Sequence, residues 1–197
     1  GEDLRFSEKE ALELQRKNIG RLHNVLAMYE LYAQHHVAAD DTSTHVLDRW
    51  MLARLRQLVQ ESTQGYRSYE IDRATRPITD CIDDLSVWYL RRSRDRLKGD
   101  DDTDRAAALA TLRYTLRTLA LVMAPVMPFY AEYVFKRVRS ENDVESVHLA
   151  AWPEEKAVDV AVIADMSVVR ECVTLALEAR TKANIKVLQP LQTLTLN

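Results

Sequence analysis

Apolar residues recur at helical spacing along almost the whole chain, and each break in that rhythm marks a connection. From Ser7 onward Leu12, Ile19, Leu22, Leu26, Tyr29 and Ala33 form one stripe, which dissolves in the polar run Asp40-Asp41-Thr42-Ser43-Thr44. A second stripe takes Leu47, Met51, Leu55, Leu58 and Val59 and should end near Gly65. Ser43 or Thr44 is its expected N-cap, because a side-chain oxygen there satisfies the first free amides. The third helix is expected from Asp72 to about Leu97, with Ala74, Ile78, Ile82, Leu85 and Tyr89 facing the core. Pro77 falls about one turn inside it, where it removes a donor and crowds the preceding turn, so a later start or a local bend is expected.

Gly99-Asp100-Asp101-Asp102-Thr103-Asp104 predicts a loop ending in a good N-cap, with acidic residues suited to the positive end of the next helix dipole. Helix four carries Leu109, Leu112, Leu116, Leu119 and Met123 and stops at Pro125. Pro128 suits the first position of a shorter helix reaching about Arg139, followed by a loop at Ser140-Glu141-Asn142-Asp143. Val147 to Pro153 has no clear period and is expected to cross the bundle as extended chain. A last helix, about Val158 to Lys182, should bury Val162, Met166, Val169, Val173 and Ala176. Beyond it, Ile185-Lys186-Val187 and Leu194-Thr195-Leu196 look like strand material interrupted by Pro190, too little for a stable sheet and therefore the start of a truncated region. The expected fold is all-α: an antiparallel helical bundle over residues 1–183, with a short β-like tail over 184–197.

Composition narrows the function. Four glycines and five prolines among 197 residues leave little material for tight β-turns or for a glycine-rich phosphate loop. Lys and Arg total 27 against 30 Asp and Glu, and a net charge of −3 argues against a surface that grips nucleic acid everywhere. Cys81 and Cys172 lie far apart, without metal-ligand spacing, and read as buried thiols in a reducing compartment. No uninterrupted apolar run reaches about 18 residues, and the first five residues resemble no signal peptide, so a soluble cytoplasmic protein without membrane contact is expected.

The search for reactive chemistry is mostly negative. No G-x-S-x-G, H-E-x-x-H or G-x-x-x-x-G-K-[ST] is present. His23, His35, His36, His45 and His148 read as solvated or capping residues. His35 and His36, about 100° apart on a helix, would not chelate one ion. Asp83 and Asp84 diverge for the same reason, which favours solvation or ion pairing over acid–base catalysis. The informative segment is Trp88-Tyr89-Leu90-Arg91-Arg92-Ser93-Arg94-Asp95-Arg96-Leu97-Lys98, with five cations and one anion in eleven residues. On a uniform α-helix Arg91, Arg94 and Lys98 face away from Ile78 and Leu85, and Arg73 and Arg76 join that stripe. Arg92 and Arg96 instead continue the core seam, where they can pair with carboxylates or cover apolar surface. Two readings of the outer stripe stay open: cations complementing a helix C-terminus, or a patch that tracks phosphates through arginine's forked donors. Trp88 and Tyr89 are either core residues or stacking surfaces for unpaired bases.

Several segments carry a family likeness. Leu47-Asp48-Arg49-Trp50-Met51-Leu52-Ala53-Arg54-Leu55 and Asp83 through Arg94 resemble the anticodon-binding helical domain of class I isoleucyl-tRNA synthetases. Leu121-Val122-Met123-Ala124-Pro125-Val126-Met127-Pro128-Phe129-Tyr130-Ala131-Glu132 resembles a segment shared with the valyl and leucyl enzymes. Gly1 to Phe6 is similar to the stretch that follows the catalytic domain, and Ile185 to Leu191 to the start of the C-terminal region. Arg91-Arg92-Ser93-Arg94 after Trp88-Tyr89 is the isoleucyl feature. Departures are His23-Asn24 for the usual Trp-Asn, Asn184 for a usual Gly, and Leu188 for a usual Arg, the last weakening any RNA role for the tail.

The resemblance implies a module of isoleucine–tRNA ligase that binds tRNA at the anticodon stem-loop, with catalytic and editing domains of the same polypeptide as its other partners. The catalytic His-x-Gly-His and Lys-Met-Ser-Lys-Ser motifs are missing. It further implies no cofactor for this segment, with ATP and Mg used in the parent enzyme. Arg73, Arg76, Arg91, Arg94 and Lys98 are the candidates for backbone contact, joined by Arg92, Arg96 and Trp88; no catalytic or metal residue is expected. The alternatives are the equivalent valyl or leucyl domain, or a helical scaffold that docks protein partners instead of RNA.

Overall fold

The computed structural model describes residues 7–33, 39–193 and 195, and the chain divides into two compact units, Gly1–Val158 and Asp159–Asn197. The first unit opens with α1 (Glu8–Gln15), a π-helical turn (Arg16–Gly20) and α2 (Arg21–Tyr32), one helical path whose N-cap is Ser7. Leu22, Val25, Leu26 and Tyr29 are buried, whereas Leu12, expected in the same stripe, is 58% exposed, so burial begins only past the π turn.

Helix α3 (Val46–Arg67) is capped by His45, whose Nδ1 accepts from the Leu47 amide at 3.2 Å. Neither Ser43 nor Thr44 takes that place; Ser43 Oγ donates instead to Asp48 at 2.7 Å. Tyr69, at φ 59°, turns the chain out of α3, with the Glu70 amide donating to the Gly65 carbonyl. Helix α4 (Ile71–Asp83) begins one residue before the expected start rather than later, and runs through Pro77. It continues through a second π-helical turn (Asp84–Leu90) into α5 (Arg91–Lys98).

Asp101 caps α6 (Asp102–Met123) by accepting from the Thr103 and Asp104 amides. Thirteen residues of α6 are buried, including the whole expected stripe from Leu109 to Met123. This helix is long and apolar enough by composition to cross a bilayer, yet 72% of its apolar window is buried within the protein, as suits a core helix. Pro128 starts α7 (Pro128–Val138) at its first position, where its missing amide hydrogen costs nothing.

Buried Arg113 of α6 donates to the carbonyls of Val138 (2.7 Å) and Arg139 (2.9 Å), satisfying the end of α7. Val147–Leu149 makes one 3₁₀ turn, a departure from the fully extended expectation, tied to α7 by Glu132. Beyond it extended chain lies along α3: Trp152 Nε1 donates to Thr63 Oγ1 at 2.8 Å, and Gln60 donates to the Lys156 carbonyl at 3.0 Å.

The second unit is α8 (Val160–Lys182) with its following turn, capped by Asp159. Val162 and Met166 are buried, but Val169 is half exposed, and Val173 and Ala176 are only partly covered. Among the described residues no strand forms. Ile185–Val187 follows a helix end closed by Asn184 at φ 55°, and Arg180 donates to the carbonyls of Lys186 (2.9 Å) and Gln189 (2.8 Å), holding the chain in a turn. Leu194 and Leu196, of the second expected strand, lie outside the described residues.

Candidate nucleic-acid interface

The basic segment begins inside the π turn, and that turn decides which side chains face out. In an α-helix, residues five apart point about 140° away from each other; an i→i+5 turn brings them onto one side. Asp84 and Tyr89 are such a pair, and both reach α3. Asp84 accepts from Arg54 Nε at 2.7 Å, and the Tyr89 hydroxyl donates to Asp48 at 2.6 Å. The extra residue taken up by the turn advances the register by one position. The core seam, running Ile78, Ile82, Leu85, Tyr89, resumes at Ser93 and Leu97, with Arg96 reaching inward beside it and Arg92 left outside it. Arg92 is thereby exposed.

Arg96 turns inward. Its side chain is 9% exposed, and it donates to Asp48 through both terminal nitrogens, at 2.7 and 2.9 Å, and to Asp104 through Nε at 2.8 Å. Asp48 is wholly buried and accepts also from Ser43. Burial pushes its carboxyl up, but hydrogen bonds from Arg96, Tyr89 and Ser43 outweigh that and hold it below the ordinary carboxylate value. For Arg96 burial works against the charge, and the bonds to Asp48 and Asp104 more than offset it, so its pKa rises. This node joins α3, the π turn, α5 and the start of α6, and it fixes the rotation of α5. Asp48 stands beside the apolar stripe of the second helix, and a carboxylate on a core seam was the available sequence signal for it.

Arg91, Arg94 and Lys98 occupy the outer surface of α5, exposed and without an ion pair among the described residues. Asp95 lies among them on the same exposed side. The acidic run after Gly99 is largely engaged locally: Asp101 caps α6, Asp102 pairs with Arg105, and Asp104 holds Arg96. Arg73 and Arg76 are also exposed, each beside an acid of its own helix end: Glu70 at 3.0 Å and Asp72 at 2.6 Å. Such exposed pairs contribute little to stability. Trp88 is 8% exposed, and the Arg92 guanidinium carbon lies 3.2 Å from its ring centroid. The indole is therefore covered by the arginine and offers no open ring face of its own.

The remaining candidates have local roles. Asp83 pairs with Arg21 and Asp84 with Arg54, so they diverge as ion-paired residues. His45 is a cap; His35 and His36 lie outside the described residues. Both cysteines are free; burial drives the Cys81 thiol up to about 12, while Cys172 is only partly covered. Among the described residues no three His, Cys, Asp or Glu side chains group as metal ligands.

A family model described as the anticodon-binding domain of tRNA ligase matches residues 48–195. Among similar curated proteins, the isoleucine--tRNA ligase of Chlamydia muridarum is 37% identical over 97% of this chain and 19% of its own length. That of Deinococcus radiodurans is 37% identical over 97% of the chain and 18% of its length, and that of Clostridium acetobutylicum 38% over 95% and 19%. The chain thus spans about a fifth of the length of these relatives. With a family match over most of its residues and an all-helical fold, the chain belongs to the anticodon-binding domain family of tRNA ligases.

Proposed function

We propose that this chain is the part of an isoleucine–tRNA ligase that holds the anticodon stem-loop, while ATP-dependent attachment of isoleucine takes place elsewhere in a longer polypeptide. The observation that carries the reading is the outward set Arg91, Arg94 and Lys98, free of acid partners among the described residues on a chain of net charge −3. Seven residues of helix rise about 10 Å, enough to meet roughly three phosphates at the rise of one strand. Arg73 and Arg76 extend the contact after exchanging Glu70 and Asp72 for phosphate oxygens. Phosphate contacts orient the RNA, and discrimination falls to groups that meet unpaired bases. We assign Arg96 to the framework, because moving it outward would leave Asp48 buried and unpaired.

ATP and Mg belong, on this reading, to the catalytic domain, which with the editing domain completes the list of partners. The residues described here do not fit either group, since no ligand cluster and no glycine-rich loop is present among them. The helices pack as an antiparallel bundle, residues 184–197 begin a further region, and the protein works in the cytoplasm. The isoleucyl assignment is supported by the names of the relatives and by Arg91-Arg92-Ser93-Arg94 after Trp88-Tyr89.

The test is a triple replacement, Arg91→Glu, Arg94→Glu and Lys98→Glu, titrated with an isoleucine anticodon stem-loop RNA at low salt. Binding should weaken at least a hundredfold while the melting temperature stays near that of the parent chain, because all three side chains are exposed. A scaffold that docks proteins instead of RNA predicts unchanged affinity and salt slope.

A further inference from the structure

Helix α5 carries one residue at odds with its neighbours. Its buried positions are Ser93 and Leu97, and at about 100° per residue the direction opposite their mean is that of Asp95. Asp95 therefore stands on the crest of the helix and is exposed. Arg91 and Lys98 lie about 40° and 60° to one side, Arg94 beyond them, and Arg92 about 60° to the other. Three local rules disfavour an acid at this place. Aspartate is a weak helix former, the last turn of a helix favours cations over anions, and a carboxylate on a surface that receives phosphates repels them. No bond offsets those costs. Arg91 and Lys98, four and three positions away, are close enough to pair, yet the Asp95 side chain makes no hydrogen bond or ion pair among the described residues. A residue that breaks local rules without a structural gain is where a functional demand is expected.

An ionised carboxylate only accepts hydrogen bonds, through two oxygens. Phosphates have nothing to give it, whereas the Watson–Crick edge of an unpaired base does. Guanine presents two adjacent donors there, N1–H and the 2-amino group, which match the two oxygens. Adenine and cytosine place a ring acceptor beside their amino group, and uracil flanks its one imino donor with carbonyls. We infer that Asp95 reads an unpaired guanine, its carboxylate accepting from N1–H and the 2-amino group of one loop base while neighbouring phosphates lie on Arg91, Arg94 and Lys98. The inference rests on the RNA reading above and assigns its base contact. The cations attract any RNA; the carboxylate penalises a base that leaves it unmet, so the two together select.

The experiment titrates the whole chain, at one fixed salt concentration, with hairpins of a seven-nucleotide loop and with a blunt duplex of equal length. Guanine is placed at each loop position in turn and compared there with inosine, which lacks only the 2-amino group. The parent chain should prefer guanine roughly tenfold at one loop position. Asp95→Ala should bring that ratio below about twofold, yet bind the duplex at least as tightly as the parent chain, because one anion has left the ridge. Asp100→Ala removes an equal charge just past the end of α5, and should favour all the RNAs alike with the ratio intact. Asp95→Asn, which keeps the size and one acceptor, should retain only part of the ratio; circular dichroism and melting check that each variant is folded. Hairpin binding by the parent chain with no guanine–inosine difference at any position would overturn the assignment, as would a difference that survives Asp95→Ala. If the parent chain binds neither hairpin nor duplex, the RNA reading itself falls, and the guanine contact with it.

Discussion

Asp48 has no solvent exposure, and its removal would strand the buried Tyr89 hydroxyl and take two bonds from Arg96. Deleting one partner of a buried ion pair leaves the other charge desolvated, at a cost of about 3–5 kcal/mol. Asp48→Ala should lower the unfolding free energy by that amount in a urea titration, whereas Glu70→Ala, which breaks only the exposed pair with Arg73, should change it by less than about 1 kcal/mol. The same carboxylate confers acid sensitivity. Its folded pKa lies below the ordinary 3.8, so its contribution is complete above that pH and is lost as the pH falls through the depressed value. Asp143 behaves alike. Burial raises it, but bonds from Arg117 and the Ser140 amide outweigh that and bring it down to about 2. Stability should therefore decline between pH 4 and pH 2, and Asp48→Ala should flatten part of that decline; an unchanged slope would detach the node from acid unfolding.

The helical elements were largely legible because most of their signals are local. Asp101 as a cap, Pro128 at a first position and the leucine stripe of α6 need no tertiary context. The π turn has no such signature. It forms where Asp84 and Tyr89 both reach partners on α3, and beyond it the buried positions are Ser93 and Leu97, with Arg92 left exposed although Arg96 still reaches inward. An angular count from the sequence alone could not anticipate it. The tail failed for a different reason: β-branched Ile185 and Val187 suggest a strand, but Asn184 in the left-handed region and the bonds from Arg180 close the chain into a turn. Asparagine tolerates that conformation better than most residues, which accounts for its presence where glycine is usual. The α3–α4 hairpin depends on close backbone approach at Gly65, where a Cβ would lie 2.5 Å from the Ala74 nitrogen. Backbone cannot yield as a side chain can, so Gly65→Ala should cost about 2–3 kcal/mol, read as a lowered urea midpoint. A change below 0.5 kcal/mol would show that the hairpin opens freely there.

At the scale of the molecule, the net charge of −3 conceals how the cations are distributed. In the first unit Arg54, Arg56, Arg96 and Arg117 are paired with Asp84, Asp41, Asp48 and Asp143, and buried Arg113 serves the end of α7. The helical count in the sequence already separated Arg96, which pairs with buried Asp48, from Arg91, Arg94 and Lys98, which are presented outward, but it placed Arg92 with Arg96, whereas Arg92 is exposed. The distinction sets the ionic-strength dependence of RNA binding. Three phosphate contacts on a duplex stem imply a slope of log affinity against log salt near −2.7, so raising salt from 50 to 200 mM should weaken binding by roughly 40-fold. Engagement of Arg73 and Arg76 as well would steepen the slope toward about −4.5, less whatever is regained as Glu70 and Asp72 are released. Titrations at four salt concentrations, on the parent chain and on Arg73→Gln/Arg76→Gln, separate the two footprints. A common slope near −2.7 confines the contact to α5, a difference of one to two assigns it to both helices, and a slope near zero removes the ridge from RNA binding altogether.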